Sequence, residues 1–195
     1  MSDSNSSLLF FLSPRGVYRE TLISSSEIFC GPDAADEKVG GQLRCAQAPA
    51  GSFDVQEFCM GKGISLQQDV VLVKADSTGR NFPRNLAAFK CPKVLLVGDT
   101  HHMQAPIRKL IDYAKSEPFD RIIFDHTRHH ARWFFEAGFT NLHWIPALDF
   151  TFQKREVSSR PSRKLSFVGQ AGRFHPYRCH ILENLKKAGL PLEVM

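Results

Sequence analysis

The sequence predicts an α/β protein built on an open, mostly parallel sheet with helices on both faces. From residue 69 to 150, apolar runs of five or six residues alternate with helical stretches of about ten. The runs are apolar almost throughout, which is typical of strands that are covered on both faces and joined by right-handed crossovers. The predicted arrangement is therefore Rossmann-like, and its functional site is expected at the carboxyl ends of the strands.

The first 68 residues predict few elements. An apolar run at Ser7–Ser13 indicates a buried strand that ends at the Pro-Arg-Gly sequence behind it. A second strand is predicted at Glu27–Cys30 and a short helix near Asp54–Cys59. Between residues 31 and 63 glycine, proline and small residues obscure the pattern, and no further element is predicted there.

The regular part of the chain predicts four strands that alternate with three helices. Pro106 falls in the first turn of the second helix, where a missing amide proton costs nothing. Thr127 is a suitable N-cap for the third helix, and Gly138 follows its end. The strands are predicted at Asp69–Lys74, Lys93–Gly98, Arg121–Asp125 and Leu142–Pro146, and the helices at Pro83–Lys90, Ala105–Lys115 and Thr127–Ala137. Four aromatic residues of this part are expected in the core: Trp133, Phe134, Phe135 and Trp144.

Three parts of the chain are predicted from these patterns. Residues 1–150 form the Rossmann-like domain, and the polar, basic stretch 151–164 with its internal proline is a linker. Residues 165–195 start a second domain or add a βα unit that packs on the first. Their predicted order is strand Leu165–Val168, loop Gly169–Arg173, helix Pro176–Lys187 and strand Pro191–Met195.

Composition limits the classes of function. The chain has 195 residues, of which 43% are hydrophobic, so a sizeable core can form without disulfides. Its five cysteines include no C-x-x-C pair, which argues against a disulfide framework or a zinc ribbon. No run is long and apolar enough to span a membrane and the start is not a secretion signal, so a cytoplasmic protein is expected. A net charge of +5 without a basic block favours acidic or phosphorylated small molecules over nucleic acid.

Histidine is concentrated behind two of the predicted strands. One strand leads into Gly98-Asp-Thr-His-His102 and the next leads into Asp125-His-Thr-Arg-His-His130. A parallel sheet brings these loops side by side, so five of the eight histidines are expected around one pocket. There a histidine or an aspartate can orient or deprotonate a substrate hydroxyl. The residues Asp99, His101, His102, Asp125, His126 and His130 could instead bind a divalent metal, or they could cap helices and contact solvent.

Two further loops offer ligand contacts. Lys74, Asp76 and Arg80 surround the end of the first regular strand. The loop Gly169–Arg173 lies between a strand and a helix, where backbone amides can bind a diphosphate and an arginine can add charge. Both loops are equally compatible with ordinary turns.

These segments resemble the GT-B glycosyltransferases, in particular the group 1 type that includes spore-maturation-like bacterial enzymes. The resemblance covers about residues 69–190 and depends on four segments, Cys91–His102, Phe119–Phe124, Gly138–Pro146 and Leu165–Gly169, with Arg178 on the helix behind them. In that family two Rossmann-like domains face each other, and the N-terminal domain holds the acceptor while the C-terminal domain holds the nucleotide-sugar donor. The resemblance implies that residues 1–150 are the acceptor-side domain of such an enzyme.

The resemblance also implies roles for the candidate residues. Asp99, His101 and His102 become the catalytic candidates, and the donor diphosphate is assigned to Gly169, Gly172, Arg173 and Arg178. We assign substrate contacts to Lys74, Asp76, Arg80, Thr100, His126 and Arg128. No metal and no cofactor is expected, because such enzymes stabilise the leaving diphosphate with helix amides and basic side chains. The partners are a nucleotide sugar as co-substrate and a glycan or other hydroxyl acceptor.

The chain departs from this family in one respect. It contains about one βα unit of the donor domain, so we expect an acceptor-domain fragment, or a relative that stands alone, with little or no turnover. Two other functions stay open, a metal-dependent hydrolase that uses the histidine-rich loops and a non-catalytic Rossmann-type binding module.

Overall fold

The structure is a computed structural model that describes residues 7–12, 26–100, 103–124, 128–145, 165–167, 172 and 176–194. The chain divides into two compact units, Met1–Thr151 and Phe152–Met195. The predicted linker, residues 151–164, lies outside the described residues.

In the part of the first unit that the structure describes, the strands form a sheet of eight and a small sheet of two. In chain order the strands of the large sheet are β1 (Ser7–Phe10), β2 (Ile28–Gly31), β3 (Glu37–Val39), β4 (Gln42–Gln47), β6 (Val70–Ala75), β8 (Lys93–Val97), β9 (Arg121–Phe124) and β10 (Leu142–Trp144). The small sheet pairs β5 (Gly51–Asp54) with β7 (Asn81–Arg84) in parallel.

The large sheet has a Rossmann strand order. Its strands lie side by side as β10-β9-β8-β6-β1-β2-β4-β3, and every pair is parallel except β3 with β4. Counted along the chain, the parallel strands therefore follow the order 7-6-5-4-1-2-3, which is the Rossmann order read from its other edge. The predicted α/β class with a mostly parallel sheet is confirmed. The strand order reverses between β1 and β6, and ligands of such sheets bind outside the carboxyl ends at this switch point.

Among the described residues, three helices cover one face of the large sheet. They are α1 (Val55–Lys62), α2 (Pro106–Ser116) and α3 (Ala131–Glu136). They contribute Phe58, Tyr113 and Phe134 to the main core, which contains alternate residues of the central strands such as Phe10 and Val73. The other face has a smaller cluster of buried residues: Phe11, Phe29, Ala34 and Cys45. Buried residues alternate with half-buried or exposed ones along β1, β6 and β9, because successive side chains of a strand point to opposite faces.

Local chemistry fixes where the first helix begins and ends. The Asp54 carboxylate accepts hydrogen bonds from the backbone amides of Gln56 and Glu57, at 2.7 and 3.2 Å, and thereby caps α1. Gly63 ends the helix in the left-handed conformation at φ 67°. The helix predicted near residues 54–59 is therefore present and slightly longer.

The helix predicted over Pro83–Lys90 is wrong. Residues 81–84 instead form strand β7, and a short 3₁₀ helix follows at Leu86–Ala88. Asn85 between them has φ 65°, which no α-helix can accommodate. Tertiary contacts stabilise the strand, because the Tyr113 ring stacks on Phe82 at 4.3 Å and its hydroxyl donates to the Pro83 carbonyl at 2.9 Å.

The prediction that four aromatic residues of this region lie in the core is confirmed for one of them. Phe134 is buried and meets Phe124 edge to face, whereas Trp133, Phe135 and Trp144 are exposed. Helix α3 has only six residues and buries one side, and β10 lies at the end of the described sheet. Residues 128–130, predicted as part of this helix, form a 3₁₀ turn before it. The predicted cap Thr127 lies outside the described residues.

The second unit has the predicted order of strand, helix and strand. Strand β11 (Leu165–Phe167) pairs in parallel with β12 (Leu192–Val194), and helix α4 (Pro176–Lys187) lies between them in the chain. Across both units, none of the helices in the described part of the chain is long and apolar enough to cross a bilayer.

Candidate functional site

The two histidine-bearing loops leave the same edge of the sheet. Strands β8 and β9 are parallel neighbours, and their last residues Val97 and Phe124 pair in register. The chain therefore leaves both strands at adjacent points on the carboxyl edge. Gly98–Thr100 follows β8 directly, and Arg128–His130 follows β9 after residues 125–127, which lie outside the described residues. This neighbourhood is the one on which the predicted pocket depends.

A direct side-chain contact joins these loops. The hydroxyl of Thr100 is hydrogen-bonded to Nδ1 of His130, and Thr100 is 2% exposed. Its burial leaves the hydroxyl little freedom, so the bond fixes the position of the imidazole ring. From the sequence, Thr100 is predicted to contact the substrate, and His130 is a possible metal ligand. We call Thr100 and His130 with their loops the histidine site.

A third loop is tied to the same edge through the backbone. The amide of Ser77 donates to the carbonyl of Asp99 at 2.8 Å, and the amide of Gly98 donates to the Ala75 carbonyl at 2.8 Å. A methyl group at Gly98 would lie 3.2 Å from that Ala75 oxygen, so the small residue permits the close approach. Asp99 thus lies next to the loop that follows β6, with its side chain half-buried.

Arg128 lies beside an exposed indole ring. Its guanidinium carbon is 4.8 Å from the centre of the Trp144 ring, and this tryptophan pairs in register with Phe124. Trp144 therefore stands at the carboxyl edge and is 47% exposed. The other predicted residues of this region, His101, His102 and His126, lie outside the described residues.

The three candidates behind β6 have separate surroundings. Asp76 accepts a hydrogen bond from the Thr78 amide at 2.9 Å and another from the Thr78 hydroxyl, which makes it a turn-forming residue. Lys74 is half-buried on the strand itself. Arg80 points along the carboxyl edge away from the histidine site. It forms an ion pair with Asp33, with nitrogen to oxygen distances of 2.6 and 3.2 Å.

The Arg80–Asp33 ion pair crosses the switch point. Arg80 follows β6 and Asp33 follows β2, and β1 lies between these strands. The pair therefore passes over the carboxyl end of β1. The hydrogen bonds and the charge of Asp33 raise the pKa of the Arg80 guanidinium, which stays a cation at every working pH. Sequence reasoning missed Asp33, although its place directly behind a predicted strand is the signal that marks such positions.

Asn81 joins the two strands of the switch point. Its side-chain amide donates to the carbonyls of Phe10 on β1 and Lys74 on β6, at 2.8 and 3.0 Å. Two buried side-chain oxygens of this loop, Oγ of Ser77 and Oδ1 of Asn81, lack a hydrogen-bond partner in the described structure. No pattern in the sequence distinguishes Asn81 from a solvated turn residue, so only the fold identifies its role.

The residues assigned to the donor diphosphate belong to the second unit. Gly172 and Arg178 are described, and the Gly172 carbonyl is 3.7 Å from the sulfur of Cys179. Arg178 lies in the exposed first turn of α4. Gly169 and Arg173 lie outside the described residues, so the predicted loop is described only at Gly172.

The described residues contain no group of three or more His, Cys, Asp or Glu side chains positioned to hold a metal ion. The histidine site contains an oriented imidazole, a carboxylate on Asp99 and a cation on Arg128. These three groups are suited to binding and activating a hydroxyl group.

Comparison with known proteins gives no family model, no curated protein and no solved structure that matches this chain.

Proposed function

We propose that the first unit binds the hydroxyl acceptor of a glycosyltransferase that uses a nucleotide-sugar donor. The observation that carries this proposal is the bond between Thr100 and His130 at the carboxyl edge of a Rossmann-ordered sheet. It joins two loops whose side chains can bind and deprotonate an alcohol. The resemblance in the segments around β8, β9 and β10 supports the same class of reaction.

Residues of the histidine site and its loops would act on the acceptor. A base among Asp99, His101, His102 and His130 takes the proton of the acceptor hydroxyl as its oxygen attacks the anomeric carbon. The bond between this carbon and the diphosphate breaks, and the diphosphate leaves with the electron pair. Thr100 holds the ring of His130, and His126 and Arg128 contact the acceptor. A general base acts over a hydrogen-bond distance or through one water, so the base must lie within that reach of the acceptor hydroxyl.

Trp144 supports a sugar as the acceptor. An exposed indole presents a flat apolar surface and a polar N–H, which suits the face of a pyranose ring with its C–H groups and hydroxyls. Arg128 beside this ring adds hydrogen-bond donors for hydroxyl or carboxylate groups of the glycan. The acceptor would therefore lie between Trp144 and His130.

The donor would bind the second unit. In this proposal the backbone of Gly169 and Gly172 and the guanidinium groups of Arg173 and Arg178 contact the diphosphate. Lys74, Asp76 and Arg80 remain candidates for contact with the substrate from the loop behind β6, although Arg80 must then keep or exchange its ion pair with Asp33.

Acceptor binding is tested apart from transfer. A glycan array probed with the purified chain should identify a bound glycan, and ligand-observed NMR should then give its affinity. We expect Trp144→Ala to weaken this binding about 10-fold or more, the size expected when an aromatic contact is lost. Phe135→Ala removes an exposed aromatic residue from the later part of α3 and serves as the control.

Three results would overturn the proposal. The first is an array on which no glycan is bound above background. The second is equal affinity in the Trp144→Ala and Phe135→Ala variants. The third is stoichiometric divalent metal in the purified protein that is lost on His101→Ala or His126→Ala, as the alternative of a metal-dependent hydrolase predicts.

A further inference from the structure

A cleft opens at the carboxyl edge of the sheet, on the other side of β1 from the histidine site. Its volume is about 530 Å³, within the range of small-molecule sites. One wall consists of the segments that leave β2 and β4, with Pro32 and Pro49, and the other is helix α1 with Phe58. The histidine site lies beyond β1 and β6, so the two sites are separate along the edge.

The lining of this cleft suits a flat ring. The exposed ring of Pro49 and the small accessible parts of Pro32 and Phe58 supply apolar surface, while Glu57 and Lys62 add polar groups. Lys62 is held in place by Asp36, whose two oxygens lie 2.9 and 2.7 Å from its ammonium nitrogen. A planar heteroaromatic ring has the combination that this lining requires, apolar faces and a polar edge.

Asp33 adds a site for hydroxyl groups directly beside the cleft. It follows Pro32 in the chain, and its side chain is 39% exposed. Each carboxylate oxygen accepts one hydrogen bond from Arg80, and a carboxylate has about four lone-pair positions, so both oxygens can accept more. An acidic residue behind the second strand of a Rossmann-ordered sheet is placed to bind the hydroxyls of a ribose.

Arg80 supplies a cation on the far side of Asp33. Its guanidinium carries five N–H donors, of which two are used by Asp33. It stands over the switch point, where an anionic group of a ligand that extends from the cleft would arrive. The sequence after β1, Ser13-Pro-Arg-Gly16, lacks the G-x-G-x-x-G pattern of dinucleotide sites, which favours a ligand with one nucleoside.

We propose that this cleft binds a nucleoside 5′-phosphate, with the base between Pro32, Pro49 and Phe58, the ribose diol on Asp33 and the phosphate on Arg80. This site shares only Arg80 with the acceptor function proposed above, and its cleft lies apart from the histidine site. Its test needs neither a sugar donor nor transfer, so either proposal can fail while the other stands.

The ribose contact gives the sharpest test. The whole chain is titrated with AMP and with 2′,3′-dideoxy-AMP, and binding is followed by amide NMR. We expect AMP to shift the amides of Ala50, Gly61 and Lys62 around the cleft. We expect the dideoxy analogue to bind the wild-type protein about 10- to 100-fold more weakly, because it cannot donate to the carboxylate. In the Asp33→Ala variant this difference should disappear.

Two variants control the test. Asp69→Ala removes an exposed carboxylate at the opposite, amino edge of the sheet and should keep the preference for AMP. Ala50→Trp fills the cleft from an exposed position and should abolish binding while the protein stays folded, as its dispersed NMR spectrum reports. The proposal is overturned if AMP and the dideoxy analogue bind the wild type equally, if millimolar AMP moves no amide of the cleft, or if inorganic phosphate binds as tightly as AMP.

Discussion

The hydroxyl of Thr100 is hydrogen-bonded to Nδ1 of His130, although the two residues are 30 positions apart in the chain. One follows β8 and the other follows β9, and the parallel pairing of these strands is what brings them together. Neither residue is part of a local motif, so their contact depends on the register of the sheet. The position of the imidazole at this edge is therefore a property of the whole sheet.

Replacing Thr100 tests this relationship. We expect Thr100→Val, which keeps the shape and removes the hydroxyl, to lower the free energy of unfolding by about 1 kcal/mol. The ¹⁵N signals of the His130 ring should change with it, because the hydrogen bond at Nδ1 influences which nitrogen carries the proton. Thr100→Ser keeps the hydroxyl and should retain the wild-type ring signals. Identical ring spectra for the Thr100→Val variant and the wild-type protein would show that the bond does not form.

Gly31 should tolerate no side chain. A methyl group there would lie 1.9 Å from the carbonyl oxygen of Phe11, because the chain that leaves β1 passes directly over the end of β2. We expect Gly31→Ala to cost about 3 kcal/mol or more in urea denaturation, as a backbone clash requires both strands to move.

The same exchange at Gly61 provides the contrast. This glycine lies in α1 with nothing within 4 Å of the added methyl group. Gly61→Ala should therefore stabilise the protein by about 0.5–1 kcal/mol through the helix propensity of alanine. Equal effects at the two positions would contradict the close approach of β1 and β2.

We expect Glu117 to contribute more to the free energy of unfolding than exposed acidic residues do. Its carboxylate, 6% exposed, accepts the backbone amides of Asn85 and Leu86 at 3.3 and 2.9 Å and lies 3.8 Å from Arg84. Removing it leaves two backbone donors without this acceptor where the chain turns after β7. We expect Glu117→Ala to lower the free energy of unfolding by about 2 kcal/mol in urea denaturation.

Glu136→Ala is the matched control for this variant. Glu136 forms an exposed pair with Arg132 one helical turn away, at 3.7 Å. Such pairs contribute about 0.5 kcal/mol or less, so this variant should be close to wild type. A comparable loss of unfolding free energy in both variants would mean that the contacts of Glu117 add no more stability than an exposed ion pair does.

The buried thiols predict a loss of stability at alkaline pH. Burial raises the pKa of Cys59 from 9.0 to about 12, and burial with the neighbouring thiols raises the pKa of Cys30 well above its ordinary value. Between pH 9 and 12 the unfolded chain therefore loses the Cys59 proton while the folded chain keeps it. The free energy of unfolding should fall in this window by about 1.4 kcal/mol per pH unit for this one thiol.

A cysteine variant isolates that contribution. Cys59→Ala should make the fall of unfolding free energy between pH 9 and 12 shallower, whatever its effect on stability at neutral pH. Val55→Ala removes apolar volume from the same helix without a titrating group, so it should lower stability and keep the wild-type slope. If the pH dependence of unfolding free energy is unchanged in Cys59→Ala, the pKa of this thiol is not raised in the folded protein.

The pattern of apolar runs predicted the regular strands closely because these strands are buried and near-continuous. The strands in residues 37–54 were not predicted for the opposite reason. Strands β3 and β5 have only three and four residues, β3 and β4 end the large sheet, and β5 belongs to the small one, so pairing rather than composition defines these strands. The helix expected at residues 83–90 failed because the left-handed turn at Asn85 and the packing of Phe82 on Tyr113 outweigh local propensity.

The sequence by itself determined that the chain alternates strands and helices and that polar residues follow β6, β8 and β9, because these are local patterns of apolar spacing. Only the tertiary structure decided which of those residues meet. The strand order puts the switch point between β1 and β6, which directs Arg80 to Asp33 and makes Asn81 a bridge between strands. Contacts between distant segments depend on the pairing order and register of strands, and a sequence pattern read locally contains neither.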